Sequence, residues 1–171
     1  MLNIKSSIGG FLPLAVALAL AAPASAEVPR QDPAHCVVGQ PQIKPLQPLT
    51  LMTSKGPVKL MVEVADTDRT RETGMMCRKI APRDRGMLFD FKQPVDGVGF
   101  WMRNTLIPLD IVYIRPDGTV LSIARNVPAL DESGVPAGGR IRAVLELGAG
   151  RAAEFGLLPG DRVSHRIFAH N

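Results

Sequence analysis

Between Val58 and Val64 apolar and polar residues alternate, which puts Val58, Leu60, Val62 and Val64 on one face of a strand and Lys59 and Glu63 on the other. Leu49–Thr53 is the expected antiparallel partner, because Ser54-Lys55-Gly56-Pro57 between them has hairpin chemistry. The period then changes. Asp66 to Glu72 is polar, opens on the N-cap candidates Asp66 and Thr67, and runs into Gly74, a residue able to stop a helix in a left-handed conformation. From Met87 onward the pattern predicts strands and turns only: Met87–Phe91, Gly99–Arg103, Ile107–Arg115 and Val120–Ala124. The last two are joined by Pro116-Asp117-Gly118, where proline presets φ, aspartate caps the turn and glycine accepts positive φ. Asn126 to Arg140 carries Pro128, Gly134, Pro136, Gly138 and Gly139 and reads as a long exposed loop. Ile141–Leu147 is a further strand, Arg151–Phe155 a helical turn ended by Gly156, and Arg162–Phe168 a last strand. Many short strands with one or two short helices predict a mainly β fold, an antiparallel β-sandwich or barrel.

The N-terminus follows different rules. Met1–Ala26 has one cation, Lys5, an apolar stretch from Ile8 to Ala22, and a small-x-small ending at Ala24-Ser25-Ala26, the order of a cleaved export signal. Its apolar stretch is short for a membrane span and ends at Pro23. The expectation is a signal peptide over 1–26, a Pro-rich leader or linker over 27–48 and a single β domain over 49–171, periplasmic or secreted, without a membrane span. Of the 171 residues, 20 are Lys or Arg and 16 Asp or Glu. Losing Lys5 with the signal lowers the net charge from +4 to +3. That charge is too small for the electrostatic footprint of a nucleic-acid binder.

Three blocks have an unusual composition: Gly74-Met75-Met76-Cys77-Arg78, Gly86-Met87-Leu88-Phe89, and Phe100-Trp101-Met102-Arg103-Asn104-Thr105-Leu106-Ile107-Pro108-Leu109-Asp110-Ile111. Together with Asp117-Gly118-Thr119-Val120, Val144-Leu145-Glu146-Leu147 followed by Gly150, and Gly156-Leu157-Leu158-Pro159-Gly160-Asp161, they occur in the order seen in the family called domain of unknown function 192. The chain resembles that family over about residues 58 to 166. The resemblance implies a small, mainly β domain found in bacterial exported and cytoplasmic proteins, and it implies no reaction. Cys77 stands where the family more usually has a bulky apolar or aromatic residue.

Candidate chemistry is sparse. Asp110 shares a strand face with Pro108, Val112 and Ile114, and Glu146 shares one with Arg142 and Val144, so each carboxylate needs partners. Two readings stand: an acid and base whose pKa values are pushed apart by burial, or acceptors that hold loops in place. Phe89, Phe91, Phe100, Trp101 and Tyr113 crowd into 25 residues, either as the wall of a ligand pocket or as core. Met75, Met76, Met87 and Met102 accompany Cys77, and thioether with thiolate suits Cu(I), although Met is also an ordinary core filler. In an oxidising compartment Cys36 and Cys77 are expected to be bonded, with a free buried Cys77 or a soft-metal thiol as alternatives. His35, His165 and His170 form no readable zinc pattern. An anionic ligand near Arg103, Arg140 or Arg142 is conceivable from the bidentate chemistry of arginine. No nucleophile elbow and no phosphate-cradling glycine motif is present.

The functional expectation is a monomeric exported accessory or ligand-binding domain without a cofactor, whose partner is a small molecule or an envelope protein. Its groove is built from Trp101, Arg103, Asn104, Thr105, Asp110 and Glu146, with Asn126–Arg140 as a lid. The alternatives are a hydrolase or transferase using Asp110 and Glu146, and a Cu(I) carrier using Met75, Met76 and Cys77.

Overall fold

The computed structural model describes Cys36 and residues 42–169, so the signal segment, His35 and His170 lie outside the described residues. The elements are β1 (Gln47–Thr53), β2 (Gly56–Ala65), α1 (Asp68–Thr73), β3 (Arg85–Val95), β4 (Gly99–Phe100), β5 (Leu109–Ile114), β6 (Val120–Val127), β7 (Val135–Pro136), β8 (Ile141–Gly148), α2 (Arg151–Glu154) and β9 (Arg162–Ser164). Seven strands make one sheet in the order β6-β5-β8-β3-β2-β1-β9, and β4 and β7 pair separately. The mainly β expectation holds, with a difference in one joint. β2 and β3 run parallel, because residues 66–84 with α1 carry the chain back to the start of the sheet, whereas the other pairs are antiparallel.

α1 begins where Thr67 and Thr70 form a reciprocal capping box, so the second of the two predicted caps is the one used. The predicted hairpins form at Ser54-Lys55, flanked by the pair Thr53↔Gly56, and at Pro116-Asp117-Gly118. In the second, the Asp117 carboxylate accepts from Thr119 N at 2.9 Å and is held below its usual range mainly by that bond. Gly118 sits at φ +83°, and a Cβ there would stand 2.9 Å from the Val163 carbonyl oxygen. That close approach curls the sheet: Val163 N donates to Gly118 O and Val120 N to Asp161 O, each at 2.8 Å, and Thr119 bridges Arg162 from the far edge strand.

A curled sheet has two faces to cover. One apolar cluster draws Leu49, Leu51, Leu60, Val62, Leu88, Val112, Ile114, Val120, Leu145, Leu147 and Val163 from all seven strands, with Ala152 from α2 and Phe155 and Leu157 from the turn after it. The second lies on the other face of the central strands and contains Met87, Phe89, Leu109, Ile111, Tyr113, Ile141 and Val144. Its cover is the segment from β4 through residue 105, together with the stretch expected to be a long free loop. That stretch is pinned down: Met102 N donates to Asp131 O at 2.7 Å, Leu130 N to Thr105 O at 3.1 Å and Ala137 N to Val98 O at 2.9 Å. The strand expected over Gly99–Arg103 therefore stops at Phe100, because Met102 turns inward to complete burial in this cluster. The last strand likewise ends at Ser164 and gives way to a 3₁₀ turn over Arg166–Phe168.

The described part of the Pro-rich leader is fixed to this body. Cys36 is bonded to Cys77 with their Cα atoms 5.0 Å apart, and Ile43 N donates to the buried Glu63 carboxylate at 2.6 Å. Closing the 41-residue separation removes about 4 kcal/mol of chain entropy from the unfolded state in the loop-closure view.

Asp110 belongs to this framework. Between the pairs Leu109↔Val127 and Ile111↔Ala124 it faces two residues, Arg125 and Asn126, in a β-bulge. Its fully buried carboxylate accepts from Asn126 N and from Ala152 N in the first turn of α2, both at 2.8 Å. Asp110→Ala leaves two backbone donors without an acceptor, so we expect a loss of about 1 to 3 kcal/mol. Urea denaturation checks this, and a midpoint equal to that of the parent refutes it.

Candidate functional site

The central strands decide which carboxylate faces the cavity. In register Glu146 on β8 stands opposite Met87 on β3 and Ile111 on β5, whereas Asp110 stands opposite Leu147. Because neighbouring residues of a strand point to opposite faces, the two acids lie on opposite sides of the sheet. The acid/base pair expected for a hydrolase is not assembled, and Asp110 is not part of the groove.

Glu146 floors a cavity of about 640 Å³. Phe89, Phe91, Phe100 and Trp101 supply its aromatic lining, and Arg71 with Glu72, the Gly74-Met75-Met76 turn and Arg103-Asn104-Thr105 complete it. Of the five aromatics crowded in the sequence, four face this space, and Tyr113 packs beneath Phe100 with ring centroids 6.1 Å apart. Tyr113 donates to the Val135 carbonyl oxygen, and its hydroxyl is pushed up to about 12, chiefly by burial. Phe100 meets Phe89 edge-on at 4.9 Å. Trp101, 52% exposed, stands at the mouth with the Arg103 guanidinium 5.4 Å from its ring centroid.

The other predicted groove residues position this lining. Asn104 adopts φ 56°, a left-handed conformation that asparagine tolerates better than most residues. Its carbonyl accepts from Cys77 N at 2.8 Å, and its amide nitrogen reaches Met76 Sδ at 3.9 Å. Thr105 accepts from Leu130 N through its carbonyl. Asn104 and Thr105 thus join three loops, and both border the cavity. Residues missed by sequence reasoning are Arg71, Glu72, Thr73, Gly74, Val98 and Gly99. A Cβ at Gly74 would fall 3.0 Å from the Phe89 ring, so glycine lets the end of α1 pass over that ring as a wall. The polar helix followed by glycine is visible in the sequence, but its docking over Phe89 is not.

Several expectations are corrected here. No residue of Asn126–Arg140 lines the cavity, so this stretch braces the wall and is not a lid over it. Arg142 is engaged by Asp90, whose carboxyl is held below its usual range, with burial opposing and Arg142 favouring the charge. Arg140 lies 3.6 Å from Asp96. Met75 and Met76 border the cavity, but Cys77 offers no thiolate, its sulfur being bonded to Cys36. Among the described residues no group of three His, Cys, Asp or Glu side chains stands close enough to hold a metal ion. His165 is buried in a different place, and burial pushes its imidazole down.

Glu146 itself is 4% exposed, and its Oε2 has no hydrogen-bond partner. Burial alone pushes the carboxyl up to about 8, so at neutral pH it holds its proton. The folded chain keeps a proton that the unfolded chain loses at its ordinary 4.5, so this group's contribution to stability falls as pH rises between 4.5 and about 8. The slope is about 1.4 kcal/mol per pH unit. Glu146→Gln should therefore become progressively more stable than the parent from pH 5 to pH 8, as read by paired thermal or urea melts. A difference between the two that does not change with pH refutes this.

Comparison with known proteins agrees with this architecture. The family DUF192, described as "Uncharacterized ACR", matches residues 50–165. A crystal structure from Sinorhizobium meliloti 1021, described as a candidate transcription regulator, is 35% identical with a TM-score of 0.70, covering 75% of this chain and 99% of that one. A protein of unknown function from Novosphingobium aromaticivorans DSM 12444 is also 35% identical, with a TM-score of 0.69, covering 80% of this chain and 100% of that one. No curated protein matches the chain. No helix among the described residues is long and apolar enough to cross a membrane. With a family match over 116 of its 171 residues and two solved relatives of the same fold, the chain belongs to the DUF192 family.

Proposed function

We propose that this chain is an exported domain that binds a small, largely apolar molecule in the cavity floored by Glu146. The observation that carries the reading is the unpartnered Oε2 of a buried carboxyl beneath four aromatic rings. A buried polar atom without a partner costs about 1 to 3 kcal/mol, and a ligand that supplies the missing contact recovers that cost on binding. The rings offer apolar area, the single polar group offers orientation, and binding sites are commonly built from that combination. The Met1–Ala26 segment, with its apolar stretch and Ala24-Ser25-Ala26 ending, supports export.

Trp101 is the only tryptophan of the chain, so its fluorescence reports on the cavity mouth without labelling. In a fragment screen on the protein purified from its native host, binders should shift Trp101 emission, and Phe100→Ala should weaken them about tenfold by removing an aromatic wall. Binders that shift Trp101 yet are indifferent to both Phe100→Ala and Glu146→Gln would overturn the cavity as the site. Mass spectrometry of the same material should find Glu27 as the first residue; an intact Met1-containing chain in the cytoplasm refutes export.

A further inference from the structure

Accepting the cavity as the binding site, its chemistry narrows the ligand. Glu146 is a latent anion: its Oε2 has no hydrogen-bond partner, no ion pair to it is found among the described residues, and burial is what raises its pKa. The charged groups that surround it are already matched elsewhere. From α1, Arg71 donates to Asp68 Oδ1 at 2.6 Å and to the Asp90 carbonyl at 2.7 Å, while Glu72 lies on the exposed rim. From the turn after β4, Arg103 lies 3.9 Å from Glu132 and stacks on Trp101. On β8 Arg142 pairs with Asp90, and on β5 Tyr113 is neutral and donates to Val135 O.

Two of the four lining rings also show their affinity for cations, since Arg71 lies over Phe91 at 5.8 Å and Arg103 over Trp101 at 5.4 Å. The deeper rings, Phe89 and Phe100, carry none. A buried carboxyl beside aromatic rings that pack edge-on against one another and carry no cation is a donor set that recognises an organic cation. We infer that the cavity takes a primary ammonium group borne on an apolar or aromatic body, with the ammonium on the Glu146 carboxylate and the body against Phe89 and Phe100. An anionic group would be repelled by the carboxylate or would need it neutral. A hydroxyl would satisfy Oε2 without using the charge that Glu146 is able to develop. An ammonium does both, because in a water-poor site the ion pair is far stronger than in bulk water.

The proton balance follows. The neutral Glu146 carboxyl loses its proton to solvent as the ammonium, protonated throughout, arrives with its N–H groups, so that one proton is released for each ligand bound. Affinity must then rise with pH up to about 8 and level off above it, because the carboxyl no longer has to be deprotonated on binding.

The test uses the mature chain with benzylammonium and its neutral analogue benzyl alcohol, followed by calorimetry in two buffers of different ionisation enthalpy and by Trp101 fluorescence. Benzylammonium should bind at least tenfold more tightly than the alcohol, gain up to about tenfold per pH unit between pH 6 and pH 8, and release close to one proton at pH 6.5. Glu146→Gln, checked for folding by its melt, should lose at least tenfold in benzylammonium affinity and all of the proton release. Benzyl alcohol binding as well as benzylammonium, with no proton release and no effect of Glu146→Gln, overturns the cation inference and leaves the cavity reading standing. Failure of both compounds to bind at millimolar concentration to a protein that melts normally overturns both.

Discussion

Everything in this fold hangs on three central strands that have to be buried on both faces. All six residues of β5 are buried, and the middle of β8 is buried without interruption from Ala143 to Leu147. A sheet that is apolar on one side needs one cover; these strands need two. Curling the sheet until its outer strands meet near Gly118 and Val163 encloses one face, and the cover made of residues 98–105 and 130–137 closes most of the other. That second cover is incomplete over Glu146, and the gap is the cavity.

The incomplete cover is held by unusual backbone. Asn104 and Cys77 both have positive φ, and their main chains meet in the 2.8 Å bond from Cys77 N to Asn104 O. In the Trp-Met-x-Asn-Thr block each residue has a separate task. Met102 is buried as an anchor, Trp101 is left at the surface, Asn104 makes the left-handed turn and Thr105 receives the Leu130 N–H. The Cys36–Cys77 bond ties the leader to this junction, directly beside Met75 and Met76 on the cavity wall.

Two of the buried acids, Asp110 and Glu146, show how one fold assigns opposite tasks to the same functional group. Asp110 has two backbone donors and serves as a clamp between β6 and α2. Glu146, a single register step away across the strand pair, has an oxygen with no partner and retains its proton. The difference is one of surroundings: backbone N–H groups satisfy the Asp110 oxygens, whereas Glu146 faces aromatic rings and burial raises its pKa.

The sequence by itself determined the longer strands, the hairpin turns and the capped helix, because these depend on period, on Gly and Pro punctuation and on side chains within a few residues of each other, whereas β4, β7 and the end of β9 were set by packing. Val58–Val64, Pro116-Asp117-Gly118 and Thr67 before Gly74 all act locally. It also indicated that Asp110 and Glu146 need partners and that Cys36 and Cys77 are suited to pairing. Only the tertiary structure decided that β2 and β3 run parallel, that Asn126–Arg140 is stitched to the β4 segment, and that the two acids face opposite sides. Those outcomes rest on register and on contacts between residues far apart in the chain, such as Met87 beside Glu146 and Gly74 over Phe89. A one-residue step in register moves a side chain to the other face, and no local pattern records which step the distant strand takes.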